Sequence, residues 1–417
     1  MEHKDRPYYR VDFKIGDTDI TFGLDNVTII NSISAIFQLF IINFRSNTLH
    51  IISEKIYGQE DIFLEISLTT ENIEELEIAN YRLVILSHNI PLPEEVSNRD
   101  YGPSDDHALE DEFTIYAIPK GSLKTMATTV NKLFQDDITP LESIKKIVEE
   151  FTPDVETEIY EENANNEKSE QIIIPPMPLI KSIRYLDNIF GIYNGPSFCY
   201  CRQDIEEGDV FGLWDLHSMM DRTAEYDVHI LDRGSPIGFQ VSETGVTPDK
   251  FYTFTVVNSK YHGNKNIIKK GYKHKYIVKP SDKLFDNINL DMDEIFSENS
   301  ITDHPEDFFM NDVVRDRISI HGKNITGLGK SESFARTSMA RSIGKLSEIS
   351  FGLDRHLQFQ KLTKVGIPID IHPMVDDYAS YQGKYIVGSS IIFLRRDDYA
   401  HYIASAIITA FRTNLNR

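Results

Sequence analysis

Two clusters of histidine and aspartate are the residues best suited to chemistry in this chain. The stretch DLHSMMDRTAEYDVHILD gathers Asp215, His217, Asp221, Asp227, His229 and Asp232. Imidazole beside carboxylate can hold a divalent cation or move protons. A metal site needs three or four converging ligands, however, and neither HExxH nor HxxxH spacing occurs here. His229 alternates with Val228 and Ile230, the pattern of a residue on a sheet face. Farther on, IDIHPMVDD sets His372 near Asp376 and Asp377, where Pro373 and the acidic pair read as a strand exit and turn.

The other reactive-looking stretches fail on spacing. GLGKS, Gly327 to Ser331, contains the Gly-Lys of a phosphate loop. The first glycine of that motif would fall on Asn324, so the backbone cannot wrap a phosphate in the required way. No G-x-S-x-G elbow is present. Cys199 and Cys201 are the only cysteines. Alternation points both thiols the same way in a strand, but two thiols make neither a disulfide framework nor a four-ligand zinc site. The lone Trp214 and the 20 tyrosines form no basic, aromatic-interleaved groove for single-stranded nucleic acid. No catalytic, cofactor-binding or metal-ligating residue is assigned, no cofactor is expected, and the chain is read as not an enzyme.

The elements that would have to position such groups form an ordinary core. With 417 residues, 41% hydrophobic and 26% charged, the chain has the composition of a folded protein of several domains. Lys and Arg number 43 against 65 for Asp and Glu, a net charge of −22, which disfavours general nucleic-acid binding and adhesion to anionic membranes. MEHKDRPYYRVDF has no apolar run, so no secretory signal is expected. SISAIFQLFIINF is too short to span a bilayer.

From Tyr8 to about Lys120 the pattern is β-rich. DFKIGDTDITFGL gives two runs about a Gly-Asp turn. TLHIISEKIYGQEDIFLEISL gives strands before and after Tyr57-Gly58, with Ile51, Ile52 and Ile56 in the first. NYRLVILSHNI and EFTIYAIP add two more. PEEVSNRDYGPSDDHALEDE reads as an exposed loop.

Helices follow. Thr139, Pro140 and Glu142 make a capping box with proline at the first helical position, and Ile144, Ile147, Val148 and Phe151 share a face. ETEIYEENANNEKSE reads as a solvated loop. LIKSIRYLDNIF carries Ile180, Ile183, Leu186, Ile189 and Phe190 at helical spacing, closed by Gly191 or Gly195. FCYCR is a strand with QDIEEGD as its turn.

EYDVHILDRG, IGFQVS, FYTFTVVNSKYHG and YKHKYIVKPSD are expected strands. DNINLDMDEIFSENSITDHPEDFF reads as a linker without a period. A helix at about Ser333 to Leu346 precedes LSEISFGLD, a strand with Ile349, Phe351 and Leu353 on one side. In the last segment Tyr399, Tyr402, Ile403, Ala406, Ile407, Ala410 and Phe411 fit a helix, whereas its β-branched residues fit a strand.

The order of these segments resembles the baseplate hub proteins of contractile-tailed bacteriophages, the late control D family and its tail-tube-like relatives at the base of type VI secretion spikes. The stretches that carry the resemblance are IYGQEDIFLEISL, TPLESIKKIVEEF and LIKSIRYLDNIFGIYNGPSFCYCRQD. The strand entry Gly366-Ile367-Pro368-Ile369 and the hairpin leader Gly383-Lys384-Tyr385-Ile386-Val387 complete it. The acidic segment near residues 285 to 310 departs from the family pattern.

The resemblance implies a mainly β, α+β chain with two tail-tube-like antiparallel β-barrel domains. The first covers residues 1–120 and the second 206–417, with an α+β domain at 121–205 between them and an insertion at about 256–332. It implies a strand for the last segment. It further implies a homotrimer imitating a hexamer, with tail-tube or tube-adaptor proteins, a central spike protein and other baseplate proteins as partners. Genomic DNA would pass without specific binding, and the protein would sit in the virion tail after synthesis in the host cytoplasm. Two other expectations are a tube initiator or distal tail protein, and a metal-dependent hydrolase using His217, His229 and nearby aspartates.

Overall fold

The computed structural model describes residues 8–33, 35–46, 49–70, 73–89, 111–135, 137–193, 197–204, 208–232, 250–253, 255–261, 274–278, 286–290, 317–321, 345–354, 364–397 and 401–413. The first elements are β1 (Tyr8–Ile15), β2 (Thr18–Asp19), β3 (Leu24–Ser32) and β4 (Ala35–Ser46). Period-2 burial builds them: Val11, Phe13 and Ile15, then Val27 and Ile29, then Phe40, Ile42 and Phe44 all face one core.

Helix α1 (Leu49–Tyr57) replaces the strand expected around Ile52 and Ile56. A strand would carry Glu54 on the same face as these two buried isoleucines. The helix turns the exposed Glu54 away and still stacks positions four apart. β5 (Ile62–Thr70), β6 (Ile73–Asn89) and β7 (Asp111–Pro119) complete the first β-rich portion. Most of the expected acidic loop before Asp111 lies outside the described residues.

The middle of the chain contains α2 (Lys120–Ala127), β8 (Thr129–Phe134), α3 (Pro140–Phe151), β9 (Glu156–Ile159) and β10 (Ile172–Pro178). α4 (Leu179–Ile189), β11 (Ser197–Asp204), β12 (Gly208–Asp215) and α5 (Leu216–Asp221) follow. The expected cap forms: the Glu142 amide donates to the Thr139 hydroxyl at 3.2 Å, and the Thr139 amide donates to the Glu142 carboxylate at 2.9 Å. α3 and α4 bury Ile144, Ile147 and Val148 against Ile180, Ile183 and Leu186 in a second core.

The segment expected to be a solvated loop starts instead as β9, parallel to β12. Its Asn165 is buried, donating to the carbonyls of Phe190 and Gly191 at 3.0 and 2.8 Å. A polar sequence can thus be interior where its side chains satisfy backbone acceptors.

The last part contains β13 (Tyr226–Ile230), β14 (Lys250–Thr253), β15 (Thr255–Tyr261), β16 (His274–Val278), β17 (Asp286–Leu290) and β18 (Arg317–His321). β19 (Lys345–Asp354), β20 (Pro368–Pro373), β21 (Gly383–Arg396) and β22 (Tyr402–Thr413) end it. The opening of the expected linker, DNINL, is β17, which pairs with β16 while β18 takes its other edge. Lys345 and Leu346, expected to end a helix, begin β19 because Ser347 to Asp354 continue the alternation against β22. The rest of that helix, IGFQVS and GLGKS lie outside the described residues.

The last segment is a strand. Tyr402, Ala404, Ala406, Ile408 and Ala410 are buried, whereas Ile403 and Ile407, on the face a helix would bury, are only half-buried.

Strand pairing makes two circuits that share β21 and β22. One runs β1-β5-β6-β7-β4-β3-β21-β22 and returns to β1 through Tyr9 opposite Tyr402. The other runs β14-β13-β20-β21-β22-β19-β15, and a single residue joins β15 to β14. β21 is therefore flanked first by β20 and then by β3. One hydrophobic core accordingly includes Phe13 and Phe44 as well as Ile369 and Phe411.

A polar joint ties the first portion to the middle. Asp61 accepts from Arg82 Nε at 2.8 Å and from Lys120 Nζ at 2.7 Å, and the Arg82 amide donates to Gln203 at 2.9 Å. Burial alone would raise the Asp61 carboxyl, but hydrogen bonds from Lys120 and Arg82, with their charges, hold it below the ordinary aspartate value.

Two outcomes follow from these contacts. The Tyr402 hydroxyl donates to the Leu24 carbonyl at 2.7 Å beside the single β1–β22 pairing. Tyr402→Phe should cost about 1 kcal/mol in urea unfolding, because it removes a buried hydrogen bond. For Asp61 the folded pKa is depressed, so its contribution is present above the unfolded value of about 3.9 and lost as pH falls through the folded one. The thermal midpoint of wild type should exceed that of Asp61→Asn at neutral pH, and the gap should close on acidification below about pH 4.

Candidate functional site

β13 lies between β14 and β20 and is parallel to both. In parallel register, residues of equal offset stand side by side, so Asp227 pairs with Asp370 and His229 with His372. On the other edge Lys250 aligns with Asp227 and Tyr252 with His229. Val228, Ile230, Ile369 and Ile371 point into the core, which leaves Asp227, His229, Asp370 and His372 half-buried on the opposite face. The apolar alternation thus dictates the polar cluster.

The geometry of that face is compact. His372 Nε2 stands 3.2 Å from Asp227 Oδ1. The His229 ring stacks on His372 at 5.0 Å and on Tyr252 at 5.1 Å between centroids. One ligand atom from each of Asp227, Asp370 and His372 lies within 4.8 Å of the other two. His229 Nε2 is buried without a hydrogen-bond partner among the described residues. Burial and the neighbouring His372 hold the His229 imidazole below its ordinary value, against the opposing pull of Asp227.

The two sequence clusters are therefore halves of one face, reordered. His229 and Asp227 from the first meet His372 from the second. Asp215 instead caps α5, accepting from the Ser218 amide at 2.9 Å, and Asp221 and Asp232 are exposed. The side chain of His217 lies outside the described ones. Asp376 and Asp377 are exposed in the first turn of a short 3-10 segment beyond β20. Asp370 was missed, although IDIHP alternates Ile369 and Ile371 with Asp370 and His372 just as YDVHI alternates its own residues. That shared pattern was the available signal.

Cys199 and Cys201 pack on the same side of β11, against the middle core, as alternation predicts. Burial pushes the Cys199 thiol up to about 11 and the Cys201 thiol well above its ordinary value. Trp214 sits edge-on to Tyr160 at 4.9 Å and to Tyr200 at 5.3 Å in the core, not in a groove.

Residues 24–196 match the model of a family described as the bacteriophage PBS1 gene 109 protein. No curated protein matches the chain by sequence. Among solved structures, the tail protein from Neisseria meningitidis MC58 is 10% identical and superimposes with a TM-score of 0.56, over 98% of this chain and 98% of that one. The 43 kDa tail protein of prophage MuSo2 from Shewanella oneidensis is 11% identical, with a TM-score of 0.54 over 98% of this chain and 99% of that one. The chain has the tail-protein fold.

The E. coli c3393 protein also matches. It is a component of the type VI secretion system with structural similarity to the T4 tail proteins gp27 and gp5. The match is 11% identical, with a TM-score of 0.47, and covers 95% of this chain and 75% of that one.

The resemblance read from the sequence thus holds at the level of the fold, which is mainly β, as expected. Two of its signatures acquire physical reasons within the tail-protein fold. Gly366 has φ 86 and a Cβ there would meet the Phe198 ring at 2.2 Å, while Gly383 opens β21 at φ 122. Among the described residues no helix is long and apolar enough to cross a membrane.

The raised thiol values yield a direct test. Cys199 and Cys201 should resist iodoacetamide at pH 8 in the folded chain and react fully once it is unfolded in urea, as read by mass spectrometry. Rapid modification of the folded protein at both thiols would contradict their packing.

Proposed function

We propose that the chain is a structural protein of a phage tail baseplate hub. Two tail-tube-like barrels, at residues 1–120 and 206–417 on either side of the 121–205 α+β domain, would correspond to its two strand circuits, the first completed by β21 and β22 and the second including the parallel run β14-β13-β20. The insertion at about 256–332 belongs to the second barrel. Its first residues, in β15, are paired into the main sheet with β19.

Three copies would present six barrels, a trimer imitating a hexamer. One end of such a ring would stack on a six-fold tail tube and the other would seat a three-fold spike, with DNA passing through the middle. The observation that carries this reading is the sharing of β21 and β22 between the two circuits. It makes the pair of barrels a single rigid wall element, which a ring built from half as many subunits requires.

The tail-protein fold of the two structural relatives supports the same reading, as does the match of residues 24–196 to a phage family. The net charge of −22 suits a channel that must not hold a passing phosphate backbone, provided the excess lines it. Shape and backbone pairing carry this function. No catalytic residue is assigned, and the proposed location is the virion tail.

Cryo-electron microscopy of the tails of the encoding phage would decide. The expected result is one ring of three copies at the tip of the tube. Six copies would favour a tube initiator or distal tail protein, and absence from the tail would overturn the reading altogether.

A further inference from the structure

The face shared by β13 and β20 carries more charge and more ligand atoms than a wall requires. Two carboxylates, Asp227 and Asp370, stand directly opposite each other in adjacent parallel strands. Like charges placed opposite in a sheet destabilise it. His372 lies one step along on the same strand as Asp370, and its Nε2 already approaches Asp227 Oδ1 at 3.2 Å. The ring of His372 is held against His229, whose own far side is held against Tyr252. Ring orientation is thus fixed by stacking rather than left to solvent. The buried, unpartnered Nε2 of His229 is a further lone nitrogen donor or acceptor on this face.

We propose that Asp227, Asp370 and His372 bind one divalent transition-metal ion of the Zn²⁺ class and that this ion clips β20 to β13. One imidazole nitrogen with two carboxylate oxygens is a donor set suited to such ions and leaves a fourth position for water. The ligand atoms lie within 4.8 Å of one another. Tetrahedral zinc at bond lengths of about 2.0–2.2 Å sets its ligands roughly 3.4 Å apart. No pair need therefore close by more than about 1.4 Å, a distance that rotation of half-exposed side chains can cover.

Coordination through Nε2 takes the neutral His372 imidazole with its single proton on Nδ1, and any proton displaced from the ring passes to solvent. The cation also neutralises the facing pair of carboxylates. Two metal–carboxylate bonds and one metal–imidazole bond would then join the two strands, in addition to their backbone pairing, the His372–Asp227 contact and the stacked rings. The site is a brace for the second circuit. It rests on the sheet register and not on the hub reading, so either can fail without the other.

Isothermal titration of the full chain with ZnCl₂ tests the proposal, using wild type, His372→Ala and the nearly isosteric Asp227→Asn/Asp370→Asn pair. Circular dichroism would confirm that each variant is folded. Wild type should bind Zn²⁺ with a component of one ion per chain and show a raised thermal midpoint in its presence. Each variant should lose that component or bind at least tenfold more weakly, and its midpoint should no longer respond to the metal. If wild type takes up no Zn²⁺, or both folded variants bind with unchanged stoichiometry and affinity, the ion is not held here and the proposal is wrong.

Discussion

Backbone pairing along β21 is the constraint on which the rest of the molecule depends. A strand of this length, buried along much of its course, must satisfy its amides and carbonyls on both edges or lose free energy at every unpaired group. β22 pairs with one edge from Ile386 to Arg396, and the other is divided between β20 and β3. Ile391 and Ile392 lie opposite Ile30 and Ile29, so the end of the sequence completes the sheet begun at its start. Neither circuit closes without these two strands. Pairing across so great a sequence separation implies slow folding, because the loop-closure cost is met before the contacts compensate for it.

The middle of the chain is organised differently. Its core is helical on one side, where Ile144, Ile183 and Leu186 pack with Ile172 and Phe211, and Ile36 of β4 joins it. What it needs is a fixed orientation against the sheets. Specific polar contacts supply it, with Asp61 reaching across to Lys120, and Arg82 both to Asp61 and, through its amide, to Gln203. The β11–β12 hairpin helps in the same way. It gives Phe211 and Leu213 to one core and Val210 and Trp214 to the other. Alternation on a single strand thereby ties two cores together.

How much of this was legible in the sequence depended on whether the signal was local. The Thr139–Glu142 cap, the face of α4 and the strand at FCYCR are local, and each is present as read. Period alone could not separate a strand from a helix at Ile52 and Ile56, since positions four apart share a face in both. Glu54 between them was the discriminating residue. β9 was unreadable because it is short and polar, and its pairing with β12 depends on a partner some fifty residues away. The circuits shared by β21 and β22 were equally invisible, being a property of who pairs with whom. For the candidate site, both halves, YDVHI and IDIHP, are visible as alternating segments, but nothing in either says that they lie side by side in parallel.

Parallel pairing itself explains why that face is polar in the way it is. Had β13 and β20 run antiparallel about the same core residues, Asp227 would have faced a histidine or a turn residue, and opposite charges would have met in the register. Running parallel, the two copies of Asp-x-His align like with like, carboxylate beside carboxylate and ring upon ring. The ring row is favourable, since stacked imidazoles and Tyr252 bury apolar area. The carboxylate row is not, and the diagonal contact from His372 to Asp227 relieves only one of its two charges. Lys250, aligned with Asp227 on the other edge, is a flexible surface cation and a weak counterweight. A bound cation is the arrangement that satisfies both carboxylates at once, and it would do so at the strand pair that adjoins the start of β21, where the second circuit joins the shared wall.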